Sequence, residues 1–435
     1  MVRITCALLG LVAVVAAPAA GQEVVISTYI GADQGDVVTG VGVQPDGTLV
    51  VGGTNGGQRL LLKTDLHTWV HGGRGYVMRV SPGDGKILSS MRFDGSVCDV
   101  DVGPGGEIYA TGSFGAAKMA RNGTLLWATK ARDDNGRIAP GPAGSAVQLA
   151  GAMVSIIGGN GKVVKRFGLR GDHLEDIACD VRTGLIYVTG YADYWPPGSH
   201  DILAIPFVHA YDGRGKIIWI AYDWKGALLR EMGLAVDCRA YRVVMGDDGK
   251  LYMIGECVPG TTVFTYNSKS LKERVTLVVG DEYQKNDGNG YVTFIARLDP
   301  RTGNSETGTF LRACGGQSNE CRARGIAADR DGKVYVVGRS ACHPPVNDGV
   351  FAADVPAGNS GFFQILGPDL KRIYGTRLCA GSANAVAVIK GAIIVGGEAS
   401  DSLQPVKPIQ EKKGGGDTDG WFVAYAVKAA SETAP

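Results

Sequence analysis

After its first twenty residues the sequence has no apolar run approaching the ~20 residues that a membrane-spanning helix needs. An excess of charge of one sign is missing too. Forty-four Lys and Arg stand against 43 Asp and Glu. If Arg3 leaves with a leader, the balance is 43 against 43, which provides no field for polyphosphate or an anionic surface and argues against nucleic-acid binding. Histidine is scarce, at six residues, and no G-x-S-x-G elbow, phosphate loop or Cys-x-x-Cys pair occurs. No arrangement of residues rises to a catalytic site. Uninterrupted stretches suited to long helices are lacking as well, because 66 glycines punctuate the chain.

What is present is repetition. Seven short hydrophobic segments each run into a glycine: Gly52, Gly112, Gly151, Gly190, Gly255, Gly338 and Gly396. Each segment is the second half of a hairpin whose turn carries Gly, Asp or Asn, as in PDG at 45 to 47 and GDDG at 246 to 249. A second hairpin follows in six repeats, and four strands repeated radially make a β-propeller. The seventh repeat has a third strand from Trp421 but no fourth, and VVISTYIG from Val24 matches the missing one. The expected fold is therefore all-β: a seven-bladed propeller of four-stranded antiparallel blades, closed by the N-terminal strand pairing into the last blade. Residues 1–21 read as a cleaved signal peptide, with Arg3, an apolar run and Ala17-Pro18-Ala19 in order. Residues 22–428 form the propeller domain and 429–435 a polar tail.

GDVVTGVGVQPDGTLVVGGTN (35 to 55), LIYVTGYA (185 to 192), DRDGKVYVVGRSA (329 to 341) and GGGDTDGWFVAYAV (414 to 427) resemble the bacterial β-propeller repeat called SBBP. The likeness is uneven, since the second and third repeats are abbreviated. It implies a fold and an extracytoplasmic, periplasmic or secreted setting, and it transfers no catalytic residue.

The extra length between marker glycines falls between the second and third strands of the repeats, on the same face as the links between blades. Loops on a rigid scaffold are where binding residues usually sit. Trp69, Tyr194 and Trp195, with Asp193 and His343, are the candidate ligand-binding residues on that face, as an aromatic platform or as residues that fold the loops down. His67, His71 and Asp193 are candidate metal ligands for a divalent ion, against the simpler reading of scattered loop histidines. Glu256 and Glu398 are candidate acids beside marker glycines. Eight cysteines follow the leader, and the expected disulfides are Cys238 with Cys257, Cys314 with Cys321 and Cys342 with Cys379, while Cys98 and Cys179 read as thiols. The expected function is binding or scaffolding, with the loop face contacting a protein, glycan or surface polymer and no cofactor required. The rival is a metal-dependent hydrolase, lyase or lactonase at the mouth of a central channel.

Overall fold

The computed structural model describes the chain except residues 1–21, 58–66, 70–72, 130–135, 198–202, 235, 259–262, 279–289, 312–320, 342–345, 348–354, 356–358 and 427–435, and except the side chains of 67–69. The fold is all-β, built of four-stranded antiparallel units in chain order. The first unit runs Asp36–Val43, Leu49–Asn55, Gly75–Val80 and Ile87–Phe93. The second runs Asp99–Val102, Ile108–Gly112, Gly115–Met119 and Leu125–Ala128. Arg137–Pro140, Ala146–Ala150, Met153–Ile157 and Val163–Gly168 make the third. The fourth is His173–Cys179, Ile186–Tyr194, Leu203–Tyr211 and Ile217–Ala221. The fifth is Cys238–Met245, Leu251–Cys257, Val292–Leu298 and Ser305–Leu311.

The remaining strands form one seven-stranded sheet, in which the sixth unit, Cys321–Ala328, Val334–Ser340 and Ser360–Leu366, and the last unit share Arg372–Ile389. Its first half pairs with Ser360–Leu366, and its second half pairs with Ala392–Asp401. At the far edge, Glu23–Ile30 lies antiparallel to Asp419–Ala426 from Glu23 opposite Ala426 to Ile30 opposite Gly420. The N-terminal strand therefore supplies the fourth strand of the last unit, as the repeat pattern anticipates. The segment after Asp401 covers its other side: Val406 exchanges backbone hydrogen bonds with Ser27, and Tyr29 N–H donates to the Gln410 carbonyl.

The recurring glycines have one structural cause. In five units the innermost strand carries a bulge opposite the glycine, so one residue is skipped. Gly190 faces Leu174 while Thr189 faces Asp176, skipping Glu175; Gly255 faces Ala240 while Ile254 faces Arg242, skipping Tyr241. The bulge thrusts a carbonyl at the neighbouring strand. A Cβ on Gly53, Gly112, Gly190, Gly255, Gly338 or Gly397 would collide with the carbonyl oxygen of Val37, Ser96, His173, Arg239, Arg322 or Ser382. Three markers are thereby corrected. In the first and last repeats the second glycine of each pair, Gly53 and Gly397, holds this place, not Gly52 or Gly396. Gly151 lies in a hairpin turn at φ +54. Gly255→Ala is expected to lower stability by roughly 1–3 kcal/mol, read by chemical denaturation, because the obstacle is backbone and cannot rotate away.

The core is distributed between units rather than within them. Val50, Val77 and Phe93 pack with Val100 and Ile108 across the first and second units, and Ile254 and Ile295 with Val334 and Phe362 across the fifth and sixth. Val38, Val41 and Val51 of the first unit share a cluster with Ile394, Phe422 and Ala424 of the last.

Candidate functional site: the loop face and the cavity beneath it

In each unit the start of the innermost strand and the end of the second strand lie together, since the two are antiparallel. The loop face is built on those strand ends. At the fifth unit, Arg239 and Glu256 are opposite one another. The Glu256 carboxylate, 3% exposed, accepts the Tyr241 hydroxyl at 2.6 Å and faces Arg239 at 3.5 Å and Arg322 at 3.8 Å. Arg239 also pairs with Asp237 at 3.2 Å and lies 5.6 Å from the Tyr191 ring centre and 5.5 Å from that of Tyr291. Arg322 stands 4.3 Å over Tyr291. Cations held over ring faces in this way are stabilised by the ring quadrupole.

Charge and burial bias these groups. Burial pulls the Arg239 guanidinium down, but the Asp237 carboxylate together with Tyr291 and Tyr241 outweighs it and holds the group above its ordinary value. Burial, then the Glu256 charge, raises the Tyr241 phenol, so it stays protonated as a donor. Glu256, a candidate acid from sequence, is thus an anchor for two guanidinium groups and a phenol. Glu398, half-buried, stands opposite Gly420 in a different unit.

At the fourth unit, the Asp193 carboxylate accepts from His173 Nε2 at 3.0 Å, and the imidazole stacks on Tyr191 at 4.2 Å. Tyr191 meets Tyr241 edge-on at 6.3 Å, which joins the two clusters. Asp193, expected in a loop, lies in the strand Ile186–Tyr194, and its described partner is His173. Tyr194 is half-buried against the short helix Gly226–Glu231, where a Cβ on Gly226 would strike its ring, which is the packing side of its two readings. Trp195, next in the chain, is 60% exposed and remains available. The backbone of His67–Trp69 adds a parallel strand to the outer edge of the first unit, but those side chains, and all of His71 and His343, lie outside the described residues. Among the described residues no group of three or more His, Cys, Asp or Glu could hold a metal ion.

The expected disulfide between Cys238 and Cys257 is also corrected. The two stand directly opposite in register, as the hairpin requires, yet no bond joins them. Both are fully buried in an apolar cluster, where thiols pack as small hydrophobes. Cys314 and Cys342, from the other two expected pairs, lie outside the described residues. Cys98 and Cys179 carry no disulfide, and burial pushes the Cys179 thiol up to about 12.

Beneath the loop face is a cavity of about 480 Å³, lined by innermost strands from successive units. Its wall is divided. Gly40, Gly42, Gly325, Ala327, Ala385 and Ala387 make one arc small and apolar, whereas Asp99, Asp101, Arg137, Asp176 and Arg242 make the other charged. Burial and then the Asp99 charge push Asp101 up to about 7. Burial pushes Asp176 up to about 6 against the pull of Arg242 and Arg137. Loss of water around the half-buried Arg242, and then the Arg137 charge, bring it down to about 10. Asp176 is also tied by the Val243 N–H at 3.0 Å, and Asp99 by that of Ile138 at 3.0 Å.

Sequence reasoning missed Arg239, Tyr241, Tyr291, Arg322 and the cavity carboxylates. A usable signal existed: DVDV, HLEDIACD and CRAYRVVM carry charges inside segments otherwise readable as core strands.

No described helix is long and apolar enough to cross a membrane. No protein-family model matches the chain, and no curated protein sequence matches it. Among solved structures it is similar to the crystal structure of a protein of unknown function from Bacteroides caccae, at 10% identity and a TM-score of 0.38, over 72% of this chain and 95% of that one.

Proposed function

We propose that the chain is a closed, seven-bladed propeller of the SBBP type, exported across a membrane, that works as a binding or scaffold module through its loop face. Closure is supported by the pairing of Glu23–Ile30 with Asp419–Ala426 and by the core shared between Val38, Val41 and Val51 and the last unit. Seven innermost strands around one cavity support the blade number. Export rests on the leader-like first 21 residues.

One observation carries the binding reading: the joined cluster of Arg239, Tyr191, Tyr291, Arg322 and Glu256 at the loop face, with Trp195 exposed nearby in the chain. Flat rings beside guanidinium groups and carboxylates suit a ligand rich in hydroxyl and carboxylate groups, such as a glycan or surface polymer. Among the described residues two imidazole–carboxylate contacts occur, His173 with Asp193 at 3.0 Å and His209 with Asp223 at 2.9 Å, the latter imidazole also meeting the Tyr211 hydroxyl at 3.2 Å. The test is retention on immobilised cell-envelope polymer and on a glycan array. Arg239→Ala and Trp195→Ala are expected to lose about tenfold or more in affinity, in line with aromatic and arginine anchors, with Trp195→Ala leaving thermal stability unchanged. Equal retention of both variants would remove this face from the function.

A further inference from the structure

Between Asp134 and Asp172 the sequence contains Arg137, Lys162, Lys165, Arg166 and Arg170 and no acidic residue. Those positions span the whole third unit, which is thus a basic sheet in a chain of balanced charge. Its cations gather on the outermost strand, Val163–Gly168, and its flanks. Lys162, Lys165, Arg166 and Arg170 are all exposed, and none joins an ion pair among the described residues. Asp212, on the adjoining turn of the fourth unit, is occupied by the N–H groups of Arg214 and Lys216. Phe167 is half-buried where that turn packs on it, since a Cβ on Gly215 would meet its ring.

The same strand presents open backbone. It pairs with Met153–Ile157 on one side, and no described strand pairs along the other. Three other outer edges are covered, the first unit's by His67–Trp69, the fifth's by Leu277 against Gly308 and the last's by Val406 against Ser27, whereas Leu125–Ala128 and Ile217–Ala221 of the second and fourth units are open as well but lack this cluster of cations. Val163 and Val164 add exposed apolar surface, Val164 at 70%. A free edge with apolar residues is a template for strand addition unless something blocks it.

We propose that the outer edge of the third unit docks an extended acidic peptide segment of a partner protein by adding it as a fifth strand. Backbone pairing supplies the geometry, and carboxylates on the incoming strand meet Lys162, Lys165, Arg166 and Arg170. The charge selects the partner. A second copy of this chain would bring the same cations against themselves, and like charges facing across strands are unfavourable. A flexible polyanion would use the charge but leave the open N–H and C=O groups and Val164 unmatched.

The probe is a fluorescein-labelled, acetylated octapeptide alternating Glu with Val and Thr, followed by polarisation with the full-length protein. Micromolar binding is expected, weakening as salt rises. Lys165→Glu with Arg166→Glu should cost about tenfold or more, with an unchanged melting temperature, since both side chains are exposed and unpaired. Lys269→Glu with Lys272→Glu, exposed on a distant hairpin, should change nothing. Methylating alternate backbone nitrogens of the peptide should abolish binding by removing its ladder donors. The proposal is overturned if the octapeptide does not bind, if the Lys165/Arg166 variant binds it as well as the parent, or if the methylated peptide binds equally, which would mark a polyanion surface. Sedimentation of the protein alone showing a dimer that the Lys165/Arg166 variant dissolves would assign the edge to a second copy and overturn it as well.

Discussion

Protein lacking residues 22–31 is expected not to fold cooperatively, and the matching synthetic peptide added in excess should restore a sharp melting transition. Ile26, Ser27, Thr28, Tyr29 and Ile30 are all buried. Tyr29 sits in the cluster of Trp421 and Val423, and Ile26 and Ile30 in that of Phe422. Losing two isoleucines and a tyrosine from the core, and stripping cover from the facing strand, forfeits on the order of 10 kcal/mol. A domain's whole stability is about 5–15 kcal/mol, so the truncated chain has little margin left. The loss extends beyond one strand. Tyr29 Oη accepts the Leu403 N–H at 3.1 Å, and Gly31 N–H donates to Gln410 at 3.0 Å, so the segment after Asp401 loses its anchor too. Rescue by peptide follows because the vacancy is a preformed strand-shaped slot with the ladder on one side already in place. Ile30→Asp in the intact chain is expected to reproduce much of the loss, since it puts an unpaired charge in that cluster.

The melting temperature should fall as pH rises from about 4 to about 8, with Asp101→Asn flattening the slope. Asp101 is raised from 3.8 to about 7, and Asp176 and Asp36 each to about 6, in every case mainly by burial. Between pH 3.8 and those values the folded chain keeps protons that the unfolded chain has released. Stability from these carboxyls is therefore full below about 4 and lost as pH climbs through the raised values. Asp46 runs the other way: hydrogen bonds from Thr48 and Arg121 outweigh burial and bring it down to about 2, so its contribution fades only in acid. Asp101 has the largest shift of the cavity carboxyls, worth on the order of 2–4 kcal/mol at pH 8. The Asn variant keeps an oxygen for the Val102 N–H at 2.7 Å and cannot ionise. It should melt higher than the parent at pH 8 and match it at pH 4, measured by calorimetry in matched salt. A parent profile that rises across this range would show the cavity to be well solvated.

Much of the architecture was legible because each unit repeats one constraint. The bulged innermost strand forces glycine at Gly190, Gly255 and Gly338, and that requirement is local enough to survive in the sequence. The partner of Glu23–Ile30 was legible for the same reason, as a unit with a strand too few. The site was less so. Tyr194 ends a strand and Trp195 follows it, yet a helix in the next inter-unit link half-buries the first and leaves the second exposed, which no local pattern encodes. Arg239, Tyr291 and Arg322 lie on three segments up to 83 residues apart, the first two joined by pairing within the fifth unit and the third added by the neighbouring unit. Cys238 and Cys257 show the limit in reverse: pairing put them level, but register alone does not make a bond.

Hydrogen exchange in the intact protein, followed residue by residue through 23–30 and 419–426, tests the closing seam without altering it. The closed-ring account predicts that amides of both segments exchange together, with protection near that of the innermost strands, because separating them opens the whole domain. Exchange of 23–30 at the rate of an unstructured chain while 419–426 stays protected would show that the N-terminal strand does not hold the ring, and would contradict it.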